Sequence, residues 1–173
     1  MKEIYLFGKS ESFEAVYETY YDRIYKYAYT LLLNKEDAED VTADTFLTAY
    51  MHFSTYDAGQ ASVATWLSRI VHNRAVNLRR SAAYAKRTEL PDFWEPAEDA
   101  DFTAQVEAAD AVLYLYARLR PEERELLNLR YVMELKDGEI AALFGCPEKT
   151  LNKRIQRLLG RCRQLLDEKS EKN

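Results

Sequence analysis

Six side chains able to meet nucleic acid recur on one side of a helical period near the carboxyl end: Lys149, Asn152, Lys153, Gln156, Arg157 and Arg163. Leu151, Ile155, Leu158, Cys162 and Leu165 fall on the opposite side, the three-and-four spacing of a single buried stripe. Lys and Arg neutralise phosphates, whereas Asn, Gln and Arg offer paired hydrogen bonds to adenine or guanine edges in the major groove. From Glu148 to Leu166 six basic residues stand against one acidic residue, although the whole chain carries a formal net charge of -5. A basic face alone fits an ordinary solvated helix equally well. The preceding residues favour DNA: a short helix over about Asp137 to Phe144, a stop at Gly145 and a restart at Pro147 have the layout of a helix-turn-helix. Thr150 serves either as a phosphate donor or as a first-turn polar residue.

Charge is sorted elsewhere too. After Asn34, a plausible N-cap, Glu36 and Asp37 lie in a first turn where they favour the positive end of the helix dipole; Ala38, Val41, Thr45 and Ala49 continue as an apolar stripe. The exposed side of that helix is acidic. Between Trp66 and Thr88 there are six basic residues and no acidic one, and between Glu89 and Asp110 eight acidic residues and no Lys or Arg. No constellation for catalysis or metal binding accompanies these faces. Cys146, Cys162, His52 and His72 lack ligand spacing, and no Gly-rich phosphate loop or nucleophile-base pair is present. Neither enzymatic activity nor a cofactor is expected.

The elements that must carry these faces read as helices throughout. The chain has 173 residues, 47% hydrophobic and 31% charged, with five Gly and four Pro, the profile of a soluble helix-rich protein. Phe13, Val16, Tyr17, Tyr20, Ile24, Tyr27, Ala28 and Leu31 mark a long first helix. Phe53 to Gln60 is a loop rich in turn formers, and Ser62 caps a third helix carrying Trp66, Leu67, Ile70, Val71 and Leu78. Pro91, Pro96 and single-sign charge make the following stretch a linker, because it buries too little apolar area to offset its ordering entropy. Helices then resume with Ala109, Val112, Tyr116 and Leu119, and again at Pro121. No strand alternation is evident. The expectation is all-α: two small helical domains, residues 1–88 and 109–173, joined by an acidic linker over 89–108. No apolar run reaches membrane-spanning length and the first residues lack a signal-peptide pattern, so a cytoplasmic location without membrane insertion is expected.

The segments FEAVYETYYDRIYKYAYTLL, EDAEDVTADTFLTAY, TWLSRIVHNRAVNLRR and LRPEERELLNLRYVMELKDGEIAALFGCPEKTLNKRIQRLL resemble, in that order, regions two and four of extracytoplasmic-function (ECF) sigma factors. Each motif is moderate by itself; the ordered set around a variable linker is specific. The resemblance implies a sigma region 2 helical bundle, a sigma region 4 helix-turn-helix, and a transcription initiation factor that directs core RNA polymerase to promoters. It implies docking on the clamp helices of the polymerase largest subunit through Asp37, Asp40, Asp44, Thr45 and Phe46. It implies reading and opening of the minus-ten element through Phe53, Tyr56, Arg69, Asn73, Arg74, Asn77 and Arg80, with Trp66 read as core and the two loop aromatics open between core and base contact. It implies minus-thirty-five contacts from Lys149, Thr150, Asn152, Lys153, Gln156 and Arg157, with Lys149 on phosphate.

An anti-sigma factor is a further partner expected from the family, beside core polymerase and promoter DNA. Lys136 departs from a frequent Ser or Thr cap, and Asp137 is expected to take over. The acidic linker and acidic helix are expected to shield the basic faces away from polymerase. The alternative is a stand-alone helix-turn-helix regulator, which leaves the paired acidic and basic helices without a joint role.

Overall fold

The computed structural model describes residues 3–6, 9–81 and 111–171. The 89–108 linker, Lys86, Arg87 and Ala109 lie outside them. The fold is all-α in class, with one addition to the sequence reading: strands β1 (Glu3–Leu6) and β2 (Lys9–Ser12) pair antiparallel, Glu3 opposite Ser12 and Leu6 opposite Lys9. Four-residue strands are too short for alternation to stand out from a helical background.

Helix α1 (Phe13–Leu32) starts where Ser12 Oγ accepts the Ala15 N–H at 3.3 Å. It ends at Leu33, whose φ of 53° is left-handed. That conformation costs a leucine roughly 1–2 kcal/mol, and the Leu33 N–H closes on the Tyr29 carbonyl at 2.7 Å. Asn34 immediately caps α2 (Lys35–His52), its Oδ1 accepting the Asp37 N–H at 2.9 Å. A 3-10 turn over Phe53–Thr55 leads into a loop in which Asp57 accepts the Gly59 N–H, and Ser62 caps α3 (Val63–Arg80). Ile24, Tyr27, Phe53, Leu67 and Val71 are the fully buried anchors of this first bundle.

In the second half, helix α4 occupies 111–118 of the described residues, and α5 (Pro121–Tyr131) opens with Pro at a first-turn position. Helix α6 (Asp137–Leu143), the turn at Gly145 (φ 59°) and α7 (Glu148–Ser170) complete a helix-turn-helix. Its core holds Leu129, Met133, Ile140 and Leu151. The start of α6 differs from expectation. Asp137 pairs with Arg130, and Glu139 instead reaches back to accept the Lys136 N–H at 2.9 Å, the return arm of a capping box.

The halves touch. Helix α5 lies against α1, and Asn128 Nδ2 donates to Thr30 Oγ1 at 2.9 Å across the seam. Leu67 has no exposure at the centre of the first bundle. Leu67→Ala is expected to cost about 2–5 kcal/mol of unfolding free energy, measured as a lower urea midpoint with an unchanged slope.

Candidate nucleic-acid interface and docking face

Helix α7 is built to show one side to solvent. Leu151, Ile155, Leu158 and Cys162 are buried, which turns Lys149, Thr150, Asn152, Lys153, Gln156 and Arg157 outward; all six are exposed. Lys149, Asn152, Lys153, Gln156 and Arg157 line one shallow surface depression with Glu148. Not every cation of α7 belongs to this face. The Arg161 guanidinium donates to both Glu123 carboxylate oxygens, at 2.9 and 2.8 Å, and to the Arg118 carbonyl, so it ties α7 to α5 within its own domain.

On α2 the structure divides the residues that the resemblance groups together. Asp40 and Asp44 are exposed. Asp37 is 5% exposed, Phe46 4%, and Thr45 has no exposure, its hydroxyl donating to the Val41 carbonyl at 2.7 Å. The Phe46 ring packs edge-on against Tyr17, with centroids 4.8 Å apart. Asp37, Thr45 and Phe46 thus build the helix that carries the acidic face, whereas Asp40 and Asp44 form the face itself. Beyond Asp44 the exposed side turns apolar: Leu47, Tyr50 and Met51 are 59%, 45% and 57% exposed. Sequence reasoning passed over these three. The available signal was Leu47 and Met51, four apart and off the buried stripe.

Arg69, Asn73, Arg74, Asn77 and Arg80 are all exposed on α3. Phe53 is fully buried and belongs to the core. Tyr56 is half-buried, its hydroxyl donating to the Ala61 carbonyl at 2.6 Å and its ring 4.8 Å from Trp66. Arg74 does not stand apart from the acidic helix: it donates to Thr48 Oγ1 at 2.8 Å and lies 3.8 Å from the Asp44 carboxylate.

The second domain covers part of the same α3 surface. Glu139 of α6 accepts from Ser62 Oγ at 2.7 Å and Thr65 Oγ1 at 2.6 Å, at the positive end of α3. Glu125 of α5, 7% exposed, accepts from the Tyr27 hydroxyl at 2.7 Å and faces His72 Nδ1. Arg23 and Glu134 pair at 2.8 Å on the rim. Between the domains lies a cleft of about 560 Å³, with Ser68, Arg69, His72 and Asn73 on one wall and Ala142, Leu143 and Phe144 on the other. No sequence pattern signals this seam, because its partners are far apart along the chain.

Burial and the Glu125 charge keep Tyr27 protonated and donating far above the ordinary phenol range. Hydrogen bonding to Glu125 raises the His72 pKa above 6.5, against the opposing effects of burial and Arg80. Burial works to raise the Glu139 pKa, but the Thr65 and Ser62 hydroxyls and the Lys136 N–H outweigh it and hold the carboxyl below 4.5.

Against this geometry, two family descriptions match the chain: sigma-70 region 2 over residues 16–84 and sigma-70 region 4 over residues 109–162. The ECF RNA polymerase sigma factor RpoE of Cereibacter sphaeroides is 31% identical over 130 residues, covering 73% of this chain and 71% of the relative. BldN of Streptomyces coelicolor, another ECF sigma factor, is 28% identical over 161 residues; the match spans 89% of this chain and 61% of BldN. Among solved structures, RpoE of Bartonella quintana, crystallised with the anti-sigma factor NepR, superposes with a TM-score of 0.70 at 21% identity, covering 90% of this chain and 96% of that one. Regions 2 and 4 on one chain define an RNA polymerase sigma factor, a transcription initiation subunit with a DNA-binding helix-turn-helix. The chain belongs to the extracytoplasmic-function sigma factors. Among its described residues no helix is long and apolar enough to cross a membrane.

The seam predicts a pH window. A raised histidine pKa gives stability that is complete below 6.5 and lost as pH rises through the folded value. A lowered carboxyl pKa gives stability present above 4.5 and lost as pH falls through the folded value. Both contacts are therefore intact together between pH 4.5 and 6.5. Groups near His72 are Tyr27 on α1, Glu125 on α5, and Arg69 and Arg80 on α3. His72→Gln is expected to lower the thermal midpoint within that window and to match the parent at alkaline pH, as read by melts across a pH series.

Proposed function

We propose that this protein binds core RNA polymerase through the exposed side of α2 and directs it to promoters whose two elements are read separately by α3 and α7. The carrying observation is the outward placement of Asn152, Gln156 and Arg157 together, over a core sealed by Leu151 and Ile155. Asn and Gln suit adenine, and Arg suits guanine, by paired hydrogen bonds in the major groove. Lys149 and Lys153 add phosphate neutralisation, and Thr150 is free to donate to a phosphate oxygen.

On α2, Asp40 and Asp44 give a negative patch that selects a basic partner and speeds encounter, while Leu47 and Met51 add apolar area that such a contact buries. The clamp helices of the polymerase largest subunit are the proposed partner. On α3, Arg69, Asn73, Asn77 and Arg80 offer charge and edge hydrogen bonds to the strand that leaves the duplex at the minus-ten element. Residues 1–88 carry docking and minus-ten reading, residues 109–173 carry minus-thirty-five reading, and 89–108 spans between them, so that element spacing contributes to specificity as it does for linked modules.

The protein performs no catalysis of its own and works in the cytoplasm. An anti-sigma factor is a further proposed partner, supported by the complex in which the related Bartonella RpoE was crystallised. The stand-alone regulator reading is not favoured, because the region 2 match gives α2 and α3 roles that such a regulator lacks.

Mixing the protein with bacterial core polymerase and a pool of promoter fragments is expected to yield run-off transcripts, with none from core alone. Asp40→Lys with Asp44→Lys is expected to abolish core binding in a pull-down; retained binding would move the docking face elsewhere. Arg157→Ala is expected to cost about 1–3 kcal/mol at a single upstream base position, read as relaxed discrimination in that pool. Uniform loss across all sequences would instead mark Arg157 as a phosphate contact.

A further inference from the structure

One concavity lies outside the faces assigned to polymerase and DNA. It is formed where α1 meets α4 and α5, and its volume of about 370 Å³ is that of a small-molecule site. The walls are mostly apolar and aromatic, with Tyr25 and Tyr29 from α1, Leu115 from α4 and Leu127 from α5. Val112 and Tyr131, both exposed, edge the opening. The Tyr25 and Tyr29 rings stand 6.4 Å apart and are tilted by 32°. A flat aromatic guest against them gains ring contacts that an aliphatic chain does not.

Two polar groups interrupt this lining, and each lacks a partner for part of its chemistry. Asn128 is 1% exposed and donates from Nδ2 to Thr30 Oγ1 at 2.9 Å. Burial raises the Tyr116 pKa, and Thr30 and Asn128 work against it, the sign of donors facing the phenol oxygen. The amide nitrogen is thus used, while Asn128 Oδ1 has no hydrogen-bond partner among the described residues. A buried acceptor without a donor is costly, and a guest hydroxyl supplies one. Lys26 also lines the concavity; it is exposed and makes no ion pair among the described residues. An ammonium beside an apolar hollow orients an anionic guest. Lys26 and Thr30 are four residues apart on α1, a rise of roughly 6 Å. Because the Asn128 amide is anchored on Thr30, the unmet acceptor and the cation are separated by about one helical turn.

We propose that this concavity binds a hydroxylated aromatic carboxylate, its ring against the tyrosines and leucines, its hydroxyl donating to Asn128 Oδ1 and its carboxylate meeting Lys26. A benzene ring carrying the two groups at opposite positions has the required reach. A fatty acid has one polar end and leaves Asn128 unmet; a simple phenol leaves Lys26 unmet. The guest touches α1 on one side and α4 and α5 on the other, so its binding free energy adds to the arrangement in which these helices meet. A factor with such a site responds to a small acid directly, without a protein intermediary. None of the residues named here belongs to the docking, minus-ten or minus-thirty-five sets, so this inference stands or falls apart from those readings.

Isothermal titration of the full chain with 4-hydroxybenzoate at neutral pH, where the carboxyl is ionised and the hydroxyl keeps its proton, tests the site. Saturable binding to one site is expected, with a Kd at or below about 1 mM for a ligand of this size. The thermal midpoint is expected to climb with ligand concentration. Benzoate, without the hydroxyl, is expected to bind about fivefold more weakly. Phenol, without the carboxylate, is expected to bind about two- to fivefold more weakly, and decanoate more weakly than 4-hydroxybenzoate.

Two variants place the site. Lys26→Met is expected to weaken 4-hydroxybenzoate by about two- to fivefold while leaving phenol unchanged, which separates a lost charge contact from a disturbed fold. Lys35→Met, exposed on α2, removes the same charge and is expected to bind as the parent does. Val112→Trp fills the opening from an exposed position and is expected to abolish binding with helical circular dichroism retained; the Lys26 comparison locates the site independently of that variant. The proposal is overturned by the absence of saturable binding, by benzoate or decanoate matching 4-hydroxybenzoate, by Lys26→Met binding as the parent does or losing phenol equally, by an equal loss in Lys35→Met, or by undiminished binding to folded Val112→Trp.

Discussion

A buried carboxylate sets the terms of this structure. Glu125 sits in the second domain with 7% exposure, and the groups that satisfy it, the Tyr27 hydroxyl and His72, belong to the first. A charge taken out of water is tolerated only with hydrogen-bonding partners at hand. Neither domain can therefore bury Glu125 alone in this geometry. The seam follows: α5 is drawn onto α1, Asn128 meets Thr30, and α6 comes to rest with Glu139 on the cap of α3. The mutual placement of the two domains rests on these polar contacts together with the apolar packing of α1 against α5, which joins the two cores.

Much of the fold was legible because its signals are local. Asn34, Ser62 and Pro121 act within one helical turn, and Gly145 adopts the left-handed backbone expected of a helix stop. The outward set on α7 followed from the position of Leu151 and Ile155 on one stripe. Thr45 shows how two lines of reading part. Periodicity placed it on the buried stripe of α2, while resemblance placed it among docking residues, and it has no exposure. Helical spacing reports which way a side chain faces; a family motif also retains residues that merely keep a functional helix in shape.

What was not legible depends on distance along the chain. Tyr27 and Glu125 are 98 residues apart, as are Thr30 and Asn128, and no periodicity relates them. The α6 cap was misassigned for a different reason. Asp137 and Glu139 are both acidic residues in a first turn, and only the position of Arg130 decides that Asp137 is engaged elsewhere while Glu139 closes on Lys136. The basic count of α7 likewise exceeds the set of cations proposed for DNA, since Arg161 is engaged by Glu123.

Arg74 carries a last consequence. It is rooted on α3 yet grips Thr48 and leans on Asp44, both on α2. The helix assigned to protein contact and the helix assigned to nucleic acid therefore share one side chain. Substituting Asp44 alters the freedom of Arg74, and substituting Arg74 alters the field around Asp44. Effects of the two changes will not sum, because residues joined in one network couple. Attribution of a defect to one surface thus requires the double substitution alongside both single ones.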